Sequence, residues 1–455
     1  MFPFKTSIQF DRKSNQALYL QLANQIIQLI KKQSLAPGTK LPGSRTLADQ
    51  LNVHRQTIVA CYEELLLQGW VESIPQKGTF VNRNLPELQQ QRFEEGEIID
   101  AEAKAGFTFY TNESLTEKPV RLNEELVYID DGVSDVRLTP MDEIARTYRR
   151  IAGKRSTWKH LSYGSTFGNE TLREVLVDYL NATRGLNIRK ENILITRGSQ
   201  MGIWLSAQLL LQKDDVIVVG ETSYGAANST FWNQEAKLMT VSVDEDGIVT
   251  SEIEAICKQG RIKAVYVTSH HHHPTTVTLS AKRRIHLLNL SREYGFAVLE
   301  DDYDYDFNYN HAPILPLASH DTNGNVIYIG SVCKTVAPVF RIGYLIASKE
   351  FVDEAAKLRG FVDRQGDALL ELTFADFIKS GDLDRHIRKV MKIYKERRDV
   401  FCSLLKSELD DLFQFEIPLG GMAVWVQLKP KYSWEHVSVV ARKHKLEVGD
   451  WKRYD

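Results

Sequence analysis

Two segments of the sequence carry side chains that could act together on an aldehyde and a ring nitrogen. Lys334 follows the apolar run "NVIYIGSVCK", in which the small residues Gly330 and Ser331 precede it. A lysine at the end of a central strand can form a Schiff base with an aldehyde. In "AVLEDDYDYDF", Asp301 at a strand end could keep a ring nitrogen protonated, with Tyr303 facing the same way. Taken separately, a surface lysine and a solvated acidic turn are the commoner interpretations, and the acids also suit a calcium or magnesium site.

Two further segments offer groups for an anionic ligand and for a ring. In "ILITRGSQMGIWLSAQLLL", a strand-like run leads through Gly198 into a helix that begins near Ser199 and Gln200. Backbone N–H groups at such an end favour a phosphate. Tyr224 in "VVGETSYGAAN" follows another strand-like run and could stack on a ring, although the position also suits a core tyrosine.

Four consecutive histidines, His270 to His273, interrupt the segment "TSHHHHPTTVTLS". They could be a metal site, a stray purification tag, or a rewritten version of another motif. Consecutive side chains of an extended loop point in alternating directions, so the four imidazoles cannot all reach one ion. The choice among the three interpretations depends on the residues that flank the run.

The elements that would position these groups are strands alternating with helices. Strand-like runs recur through the larger part of the chain as "NILIT", "DVIVVG", "AVYVTS", "AVLEDD", "NVIYIG" and "IGYLIAS". This order predicts an α/β domain with a mainly parallel sheet in residues 125–455. The chain has 455 residues, 43% hydrophobic and 25% charged, which is ordinary for a soluble protein of two or three domains.

The apolar runs, the N-terminal segment and the cysteines give no indication of a membrane protein or an exported protein. No apolar run approaches the ~18 residues of a membrane helix. The N-terminal "MFPFKTSIQFDRK" also lacks the apolar core of a signal peptide. The four cysteines show no CxxC spacing, which argues against a disulfide framework or a cysteine-built zinc site. We therefore expect a reduced, cytoplasmic protein.

The first part of the chain differs from the rest in charge and layout. Residues 1–85 contain ten Lys and Arg against five Asp and Glu, a net charge of +5, so the remainder carries −7. Residues 12–83 show the order helix, helix, helix, hairpin, which is that of a winged helix-turn-helix. Residues 84–124, rich in Gln and Glu, are interpreted as a linker. A small protein-docking domain is the alternative for the first part.

A winged helix-turn-helix would bring a defined set of side chains to DNA. The second helix of such a unit enters the major groove with its N-terminal residues on base edges, and the hairpin tip contacts the backbone or minor groove. Arginine can bind guanine and glutamine can bind adenine through paired hydrogen bonds. The candidate DNA-contacting residues are Arg45, His54, Arg55, Gln56, Thr57, Lys77, Gly78 and Thr79.

The motif "LAPGTKLPGSRTLADQLNVHRQTIVACYEELLLQG", followed by the glycine-tipped "WVESIPQKGTFV", resembles the GntR-type winged helix. This resemblance implies binding to double-stranded DNA. His54 stands where the family usually has a serine that caps the helix. We therefore expect the cap to be lost, at a cost of roughly 1 kcal/mol, and His54 to touch DNA instead.

The body shows phosphate turn, aromatic residue, carboxylate, lysine and arginine in the order of fold type I enzymes that use pyridoxal phosphate (PLP). "EDDYD" and "IYIGSVCKTVAPVFRIGYL" resemble blocks of the aminotransferase class I and II fold. With the GntR-type head, the whole chain resembles the MocR-type regulators. The resemblance implies that Lys334 forms the internal aldimine, that Asp301 pairs with the pyridine nitrogen and that Tyr303 bonds the phenolic oxygen. It further implies ring stacking by Tyr224 and phosphate contacts by Ser199, Gln200, Ser331 and Arg341.

The same resemblance gives an interpretation of the histidines. The family's loop reads T-P-S-H-Q-F/Y-P-T-G, which places His271 on the family histidine and His273 on the aromatic position. An inserted tag would not keep this flanking register, so we interpret the run as the motif rewritten and expect no metal. Ordinary aminotransferases have an asparagine at the position of His273, where it bonds the phenolic oxygen, and an imidazole could replace it. Thr276 stands where the family has glycine, which should alter the turn.

The resemblance implies a transcriptional regulator that senses an amino compound or PLP through Lys334. It further implies a head-to-tail homodimer that binds two DNA half-sites. An active aminotransferase with an appended head is one alternative, and a repressor whose body senses free PLP alone is another. Ala226 stands where some members have an arginine for the effector's carboxylate. The family's C-terminal block, with another such arginine, would follow "LEVGDWKRYD", so we expect a shortened chain and leave the effector unassigned.

Overall fold

The computed structural model describes residues 2–85, 105, 107–110, 125–129, 134–309, 314–332 and 334–448. The chain divides into two compact units, Met1–Tyr110 and Thr111–Asp455, which are called the head and the body below. The predicted linker of residues 84–124 lies almost entirely outside the described residues. Within the described ranges, no helix combines the length and apolar character needed to cross a membrane.

The head is a set of helices closed by a two-stranded hairpin. Its elements are α1 (Phe4–Ser7), α2 (Leu18–Lys31), α3 (Ser44–Leu51), α4 (Arg55–Leu67), β1 (Val71–Ile74) and β2 (Gly78–Val81). β1 and β2 pair antiparallel from Val71 opposite Val81 to Ile74 opposite Gly78. One core joins the helices to the hairpin through Leu22, Leu47, Ile58 and Val81. The predicted winged helix-turn-helix is therefore confirmed.

The buried face of α4 is narrower than its apolar spacing predicts. That spacing predicts that Ile58, Val59, Tyr62, Leu65 and Leu66 point inward, but Val59 is half-buried and Leu66 is 38% exposed. Ile58, Cys61, Tyr62 and Leu65 form the buried stripe instead. These four follow the spacing of three and four residues that keeps side chains on one side of a helix, and Leu66 falls beside that stripe.

The body is built on a seven-stranded sheet with the order β4-β12-β11-β10-β9-β5-β6. These strands are β4 (Ile193–Thr196), β5 (Val216–Gly220), β6 (Lys237–Val241), β9 (Ala264–Val267), β10 (Ala297–Asp302), β11 (Val326–Ser331) and β12 (Gly343–Ile346). β12 runs antiparallel to both of its neighbours, and the other pairings in the sheet are parallel. The predicted mainly parallel α/β sheet is confirmed.

Helices cover both faces of this sheet because the strands bury side chains on both. Ile217 and Val219 of β5 pack in one core cluster with α7, α8 and α12, whereas Val218 packs in another with α9 and α10. The body helices are α5 (Met141–Ala152), α6 (Glu170–Arg184), α7 (Ser199–Leu210), α8 (Gly225–Trp232), α9 (Thr250–Gln259), α10 (Ala281–Tyr294), α11 (Leu317–His320), α12 (Lys349–Val362), α13 (Ala368–Lys379), α14 (Asp382–Glu408) and α15 (Trp434–Lys443).

Short elements complete the body outside the main sheet. Three two-stranded ladders pair β3 (Val127–Ile129) with β15 (Leu446–Val448), β7 (Val243–Asp244) with β8 (Gly247–Ile248), and β13 (Phe413–Gln414) with β14 (Gln427–Leu428). Single 3-10 turns span Val136–Leu138, Arg155–His160, Lys190–Asn192 and Pro338–Phe340. The last of these turns leads directly to Arg341.

Candidate functional site

The carboxyl ends of five parallel strands meet at one edge of the body sheet. The strand ends are Thr196 of β4, Gly220 of β5, Val267 of β9, Asp302 of β10 and Ser331 of β11. β12 enters the sheet at the same edge, because its first residue, Gly343, pairs with Ser331. The segments that contain the predicted site residues lie at or next to these strand ends. In an open α/β sheet this edge is the usual place for a ligand.

The turn between β4 and α7 forms the candidate phosphate site. Gly198 has a φ of +77°, which lets the chain turn sharply before α7 begins at Ser199. The Arg341 guanidinium lies so close that a Cβ on Gly198 would sit 2.8 Å from its Nη2. The same nitrogen donates to the Arg197 carbonyl at 2.8 Å. A fixed guanidinium thus lies beside the N-terminus of a helix, an arrangement that favours an anion.

Ser331 and Gln200 lie next to this turn and make different contacts. The Ser331 hydroxyl donates to the Ile342 carbonyl at 3.2 Å, one strand away from Gly198. The Gln200 side chain turns towards α8 and donates to the Thr230 hydroxyl at 2.9 Å. Gln200 can therefore face a phosphate with its backbone N–H, while its side chain holds α7 against α8.

Lys334, Tyr303, His273 and Tyr224 surround the candidate ring site. The Lys334 Nζ lies 5.9 Å from the centroid of the Tyr303 ring. The His273 imidazole stands edge-on to Tyr224, with the ring centroids 5.4 Å apart, and edge-on to Tyr303 at 6.2 Å. The Tyr303 hydroxyl donates to the His271 carbonyl at 3.3 Å. The strand ends thus bring together four groups that are separated by up to 110 positions along the chain.

Asp301 has the most distinctive environment in the site. Its carboxylate is 3% exposed, and its Oδ2 accepts a hydrogen bond from the Tyr266 hydroxyl at 2.9 Å. Burial raises the pKa of Asp301 to about 7, opposed by the Tyr266 hydrogen bond and aided by the charges of Asp302 and Asp304. Its Oδ1 is buried without a hydrogen-bond partner. A protonated ring nitrogen is the kind of donor that such an oxygen lacks.

The first histidine of the run is tied to the acidic segment. His270 is 4% exposed, and its Nδ1 lies 3.0 Å from Oδ1 of Asp302. Its Nε2 bonds the carbonyl oxygen of Ile314. The Tyr328 hydroxyl donates to the other oxygen of Asp302 at 2.6 Å. His270 and Asp302 therefore form a buried ion pair with further hydrogen bonds on both sides.

The next two histidines contact different groups. His271 Nδ1 lies 2.9 Å from Oδ1 of Asp304, and His272 Nε2 lies 2.8 Å from the Thr222 carbonyl. Burial lowers the pKa of His272 to about 4, so this ring is neutral near pH 7. The imidazoles of His270, His271 and His272 therefore point to three separate partners, and that of His273 faces two tyrosine rings. Within the described residues no group of three or more His, Cys, Asp or Glu side chains is arranged for a metal ion.

The sequence did not indicate which group donates a hydrogen bond to the Asp301 carboxylate. Tyr266 lies in the fully buried strand "AVYV", and a hydroxyl among buried aliphatic residues needs a partner, which was the available signal. A further contact that the sequence did not indicate joins Asp306 to the buried Arg184 at 2.7 Å. Tyr266 lies on β9 and Arg184 on α6, so only the folded arrangement of strands and helices reveals these partners.

In the head, three of the four residues at the start of α4 that are predicted to contact DNA bases are exposed. His54, Arg55 and Gln56 are exposed, whereas Thr57 is half-buried. The prediction that His54 forgoes the helix cap is wrong, because its Nδ1 accepts the Gln56 N–H at 3.3 Å. An imidazole nitrogen here does what a serine hydroxyl does in the family pattern. Arg55 is oriented by a weak contact of its Nε with the hydroxyl of Ser44 at 3.4 Å.

The other candidate DNA contacts lie at the start of α3 and at the hairpin tip. Arg45 is exposed on the first turn of α3, and Lys77 and Gly78 are exposed at the turn between β1 and β2, with Thr79 half-buried behind them. Gly78 has a φ of +114°, so the tip needs glycine. A Cβ on Gly78 would lie 3.3 Å from the Lys40 side chain. Lys40 therefore adds a further cation next to this tip.

Known proteins resemble the chain in both of its units. The bacterial regulatory GntR family matches residues 18–81, and the aminotransferase class I and II family matches residues 129–451. The chain is 28% identical over 428 residues, 92% of its length, to the uncharacterized HTH-type transcriptional regulator YisV of Bacillus subtilis and covers 85% of that protein. It is 26% identical over 415 residues to the probable rhizopine catabolism regulatory protein MocR of Rhizobium meliloti, covering 90% of this chain and 82% of that one.

Among solved structures, the body resembles aminotransferases. The kynurenine aminotransferase of Pyrococcus horikoshii aligns with a TM-score of 0.69 and 26% identity, over 74% of this chain and 87% of that one. This family uses pyridoxal phosphate, and the buried Asp301 oxygen, the lysine beside it and the phosphate turn fit that cofactor. The chain belongs to the aminotransferase class I and II family, in the MocR-type arrangement of transcriptional regulators that places a GntR-type DNA-binding unit before a pyridoxal phosphate domain.

Proposed function

We propose that this regulator senses a small amino compound through Lys334 and changes its affinity for DNA in response. An amine that competes with Lys334 for the cofactor's aldehyde would alter the contacts at the carboxyl edge of the sheet. Such a ligand shifts the population of DNA-binding states only by as much as it prefers one of them. The observation that carries the proposal is the buried, unpaired Oδ1 of Asp301 beside Lys334.

The proposed residue roles are those that the family resemblance implies, and the positions described above support them. When bound, the cofactor supplies an aldehyde carbon that amines can attack and a ring that withdraws electrons. Lys334 would be the amine of the chain that bonds it, and the ionised Asp301 would accept a hydrogen bond from the protonated ring nitrogen. Tyr303 and His273 face the phenolic oxygen, and Tyr224 packs on the ring. The phosphate is held by Ser199, Gln200, Ser331 and Arg341.

A second copy of the chain is proposed to cover an apolar face of the body. Trp158, Leu161 and Tyr163 are 65%, 66% and 77% exposed, and Phe361 is 92% exposed. Arg364 lies over the Tyr163 ring at 4.4 Å, which joins the two segments into one face. Exposed aromatic residues at this density are typical of an interface between subunits. A homodimer, head-to-tail as the family resemblance implies, would present two heads to two DNA half-sites.

An active aminotransferase is the second candidate function, favoured by the structural likeness of the body to aminotransferases such as the kynurenine aminotransferase. The two functions differ in a simple observable. A regulator binds its amine and stays in that state, whereas an enzyme turns over an amino donor and a keto acid continuously. Steady product formation that depends on Lys334 would support the enzyme.

Base recognition by the head is tested by replacing Arg55. The DNA probe is the sequence that the full-length protein itself selects from a random pool. We expect Arg55→Ala to weaken binding to this probe by roughly 10- to 100-fold and to lower discrimination against unrelated DNA, because an exposed arginine at the helix start can bind a guanine edge. Competition titrations measure both quantities.

Lys77→Ala provides the matched comparison. Lys77 lies at the hairpin tip and is assigned to a contact with the phosphate backbone. Its replacement should therefore lower the affinity for the selected DNA and for unrelated DNA by a similar factor, and it should reduce the salt dependence of binding. The assignment of Arg55 to a base would be wrong if Arg55→Ala and Lys77→Ala changed discrimination to the same extent.

A further inference from the structure

Four carboxylates are buried together where β10 ends. Glu300, Asp301, Asp302 and Asp304 are all at most 5% exposed. Like charges buried this close raise one another's pKa, so they cannot all be ionised unless cations or hydrogen-bond donors balance them. The cofactor site needs only one of them, Asp301, to be ionised and available. The other three therefore need partners elsewhere in the fold.

Each of those three carboxylates has such a partner in the segment after β9. The Ser269 hydroxyl donates to Oε1 of Glu300, which also accepts the Leu317 N–H at 2.8 Å. The next two residues of the segment, His270 and His271, hold Asp302 and Asp304 as described above. Three consecutive residues thus engage three carboxylates. Asp301 and Asp304 each keep one buried oxygen without a donor, and of the four carboxylates Asp301 alone has no partner among these three residues.

The hydrogen bonds of His270 define its charge. Both of its ring nitrogens face acceptors, Oδ1 of Asp302 at 3.0 Å and the carbonyl oxygen of Ile314. A neutral imidazole has one N–H only and would leave one of these contacts without a proton, so the ring is a doubly protonated imidazolium. Burial opposes this charge, yet the carboxylate of Asp302 overcomes it and the pKa of His270 is raised.

The groups around this ion pair come from several elements. Tyr328 on β11 donates to Asp302, and Tyr305 stands edge-on to His270 with centroids 4.8 Å apart. Arg284 on α10 acts against the imidazolium, whereas Glu300 favours it. Arg184 on α6 adds positive potential at Asp302. Because Tyr328 and Tyr305 are neutral and the more distant charges act in opposite directions, His270 is the direct counter-ion of Asp302.

We propose that His270 is a positioning residue of the cofactor site, a buried imidazolium that balances Asp302 and thereby leaves Asp301 ionised for the ring nitrogen. This inference rests on the proposed role of Asp301. It also gives the first residue of the histidine run a function that does not require a metal. His270 does not touch the reacting atoms; it acts through the charge of the neighbouring strand residue.

The test is a pH titration of the visible absorbance of the PLP-bound, full-length protein. In His270→Asn the Asp302 charge is no longer balanced. Asp301 then either stays ionised, which leaves an extra negative charge near the site, or takes up a proton, which deprives the ring nitrogen of its ionised partner and of its own proton. Both changes favour the protonated form of the lysine-bound chromophore. We expect its titration midpoint to rise by about one pH unit, the size of a charge–charge interaction across a few side chains in a protein interior. His270→Gln, whose longer amide can still donate to the Ile314 carbonyl, should give the same shift if His270→Asn folds poorly.

Two further variants separate charge balance from a merely structural effect. The double variant His270→Asn with Asp302→Asn removes both charges, so its midpoint should return to the wild-type value. His272→Asn changes the same loop at a ring that is neutral near pH 7 and contacts a carbonyl, so it should not move the midpoint. An unchanged midpoint in His270→Asn, or an equal shift in the single and double variants, would overturn the proposal.

The cofactor-free protein gives an independent readout. Because the pKa of His270 is raised by folding, its stabilising effect is present below the pKa of an unfolded histidine and is lost as the pH rises through the folded value. The loss of stability in His270→Asn should therefore be larger at pH 5.5 to 6 than at pH 8 to 9. A loss that does not depend on pH would contradict an imidazolium. If wild-type protein showed no lysine-dependent absorbance, the proposed function would fail while this measurement would still decide the charge of His270.

Discussion

Lys334→Ala is expected to abolish covalent attachment of pyridoxal phosphate and the visible absorption band that accompanies it. Lys334 is the lysine whose Nζ lies against Tyr303 and acts electrostatically on Asp301, and a Schiff base needs a primary amine at that place. Borohydride reduction followed by mass spectrometry measures the attachment directly. Wild-type protein should gain the mass of the reduced cofactor at the peptide that contains Lys334, and the variant should gain none.

Lys213→Ala is a suitable control, because Lys213 is a surface lysine with 70% of its side chain exposed and pairs with Glu235. It should label as the wild type does. Labelling of Lys334→Ala at another lysine with an unchanged absorption spectrum would show that the cofactor does not depend on Lys334. The assignment of the whole ring site would then be wrong.

Asp301→Asn is expected to weaken PLP binding and to stabilise the cofactor-free protein. A charged hydrogen bond to the ring nitrogen contributes more than a neutral one, so its loss should reduce affinity by roughly 10- to 100-fold. In the absence of cofactor, however, the buried carboxylate has a pKa of about 7. Folding then works against its ionisation, and this penalty grows as the pH rises from the pKa of an unfolded Asp towards 7.

The two effects have opposite signs, which makes the prediction specific to a functional carboxylate. Equilibrium dialysis gives the affinity for PLP, and thermal unfolding of the cofactor-free protein between pH 5 and 8 gives the stability. The stabilisation of Asp301→Asn should increase with pH in that range, by up to a few kcal/mol. Tyr266→Phe keeps the carboxylate and removes only its donor, so it should reduce PLP affinity less. An Asp301→Asn protein that is less stable at every pH would indicate a structural role instead.

Much of the architecture followed from local sequence patterns. The six apolar runs each became a strand of the main sheet, because short buried runs between helices have few other solutions. Their ends also predicted where Lys334, Asp301, Tyr224 and the phosphate turn would lie, since carboxyl ends of parallel strands share one edge. The order of these groups along the chain was sufficient for that step.

The partners of the acidic segment could not be predicted in the same way. Ser269, His270 and His271 engage residues 300, 302 and 304, which are 31 to 33 positions away in the sequence. In the ladder of β9 and β10, Val267 lies opposite Glu300, 33 positions away, and of the three contacts only that of His271 with Asp304 keeps this offset. The chain after β9 therefore leaves the strand register. Nothing in a run of four histidines specifies these contacts, and so the motif alone left a metal site and a rewritten loop as alternatives.

The head shows a different limit of sequence reasoning. Replacing the usual serine with His54 suggested a lost cap, yet the imidazole Nδ1 accepts the same backbone N–H. Cap preferences describe average energies, whereas one side-chain nitrogen at the correct distance is sufficient in a particular protein. Leu66 lies at the border of the apolar stripe of α4, and a residue at that border can be exposed even though the spacing assigns it to the buried face.

The most direct test of the central claim is the affinity of the full-length protein for its selected DNA with PLP bound, before and after addition of α- and ω-amino acids. Fluorescence anisotropy should show that at least one of these amines changes the affinity of wild-type protein, by a factor in the range of roughly 5 to 150 that coupled sites typically show. Lys334→Ala should bind the same DNA but should not respond to the amine. An amine response that persists in Lys334→Ala would contradict the claim that sensing operates through this lysine.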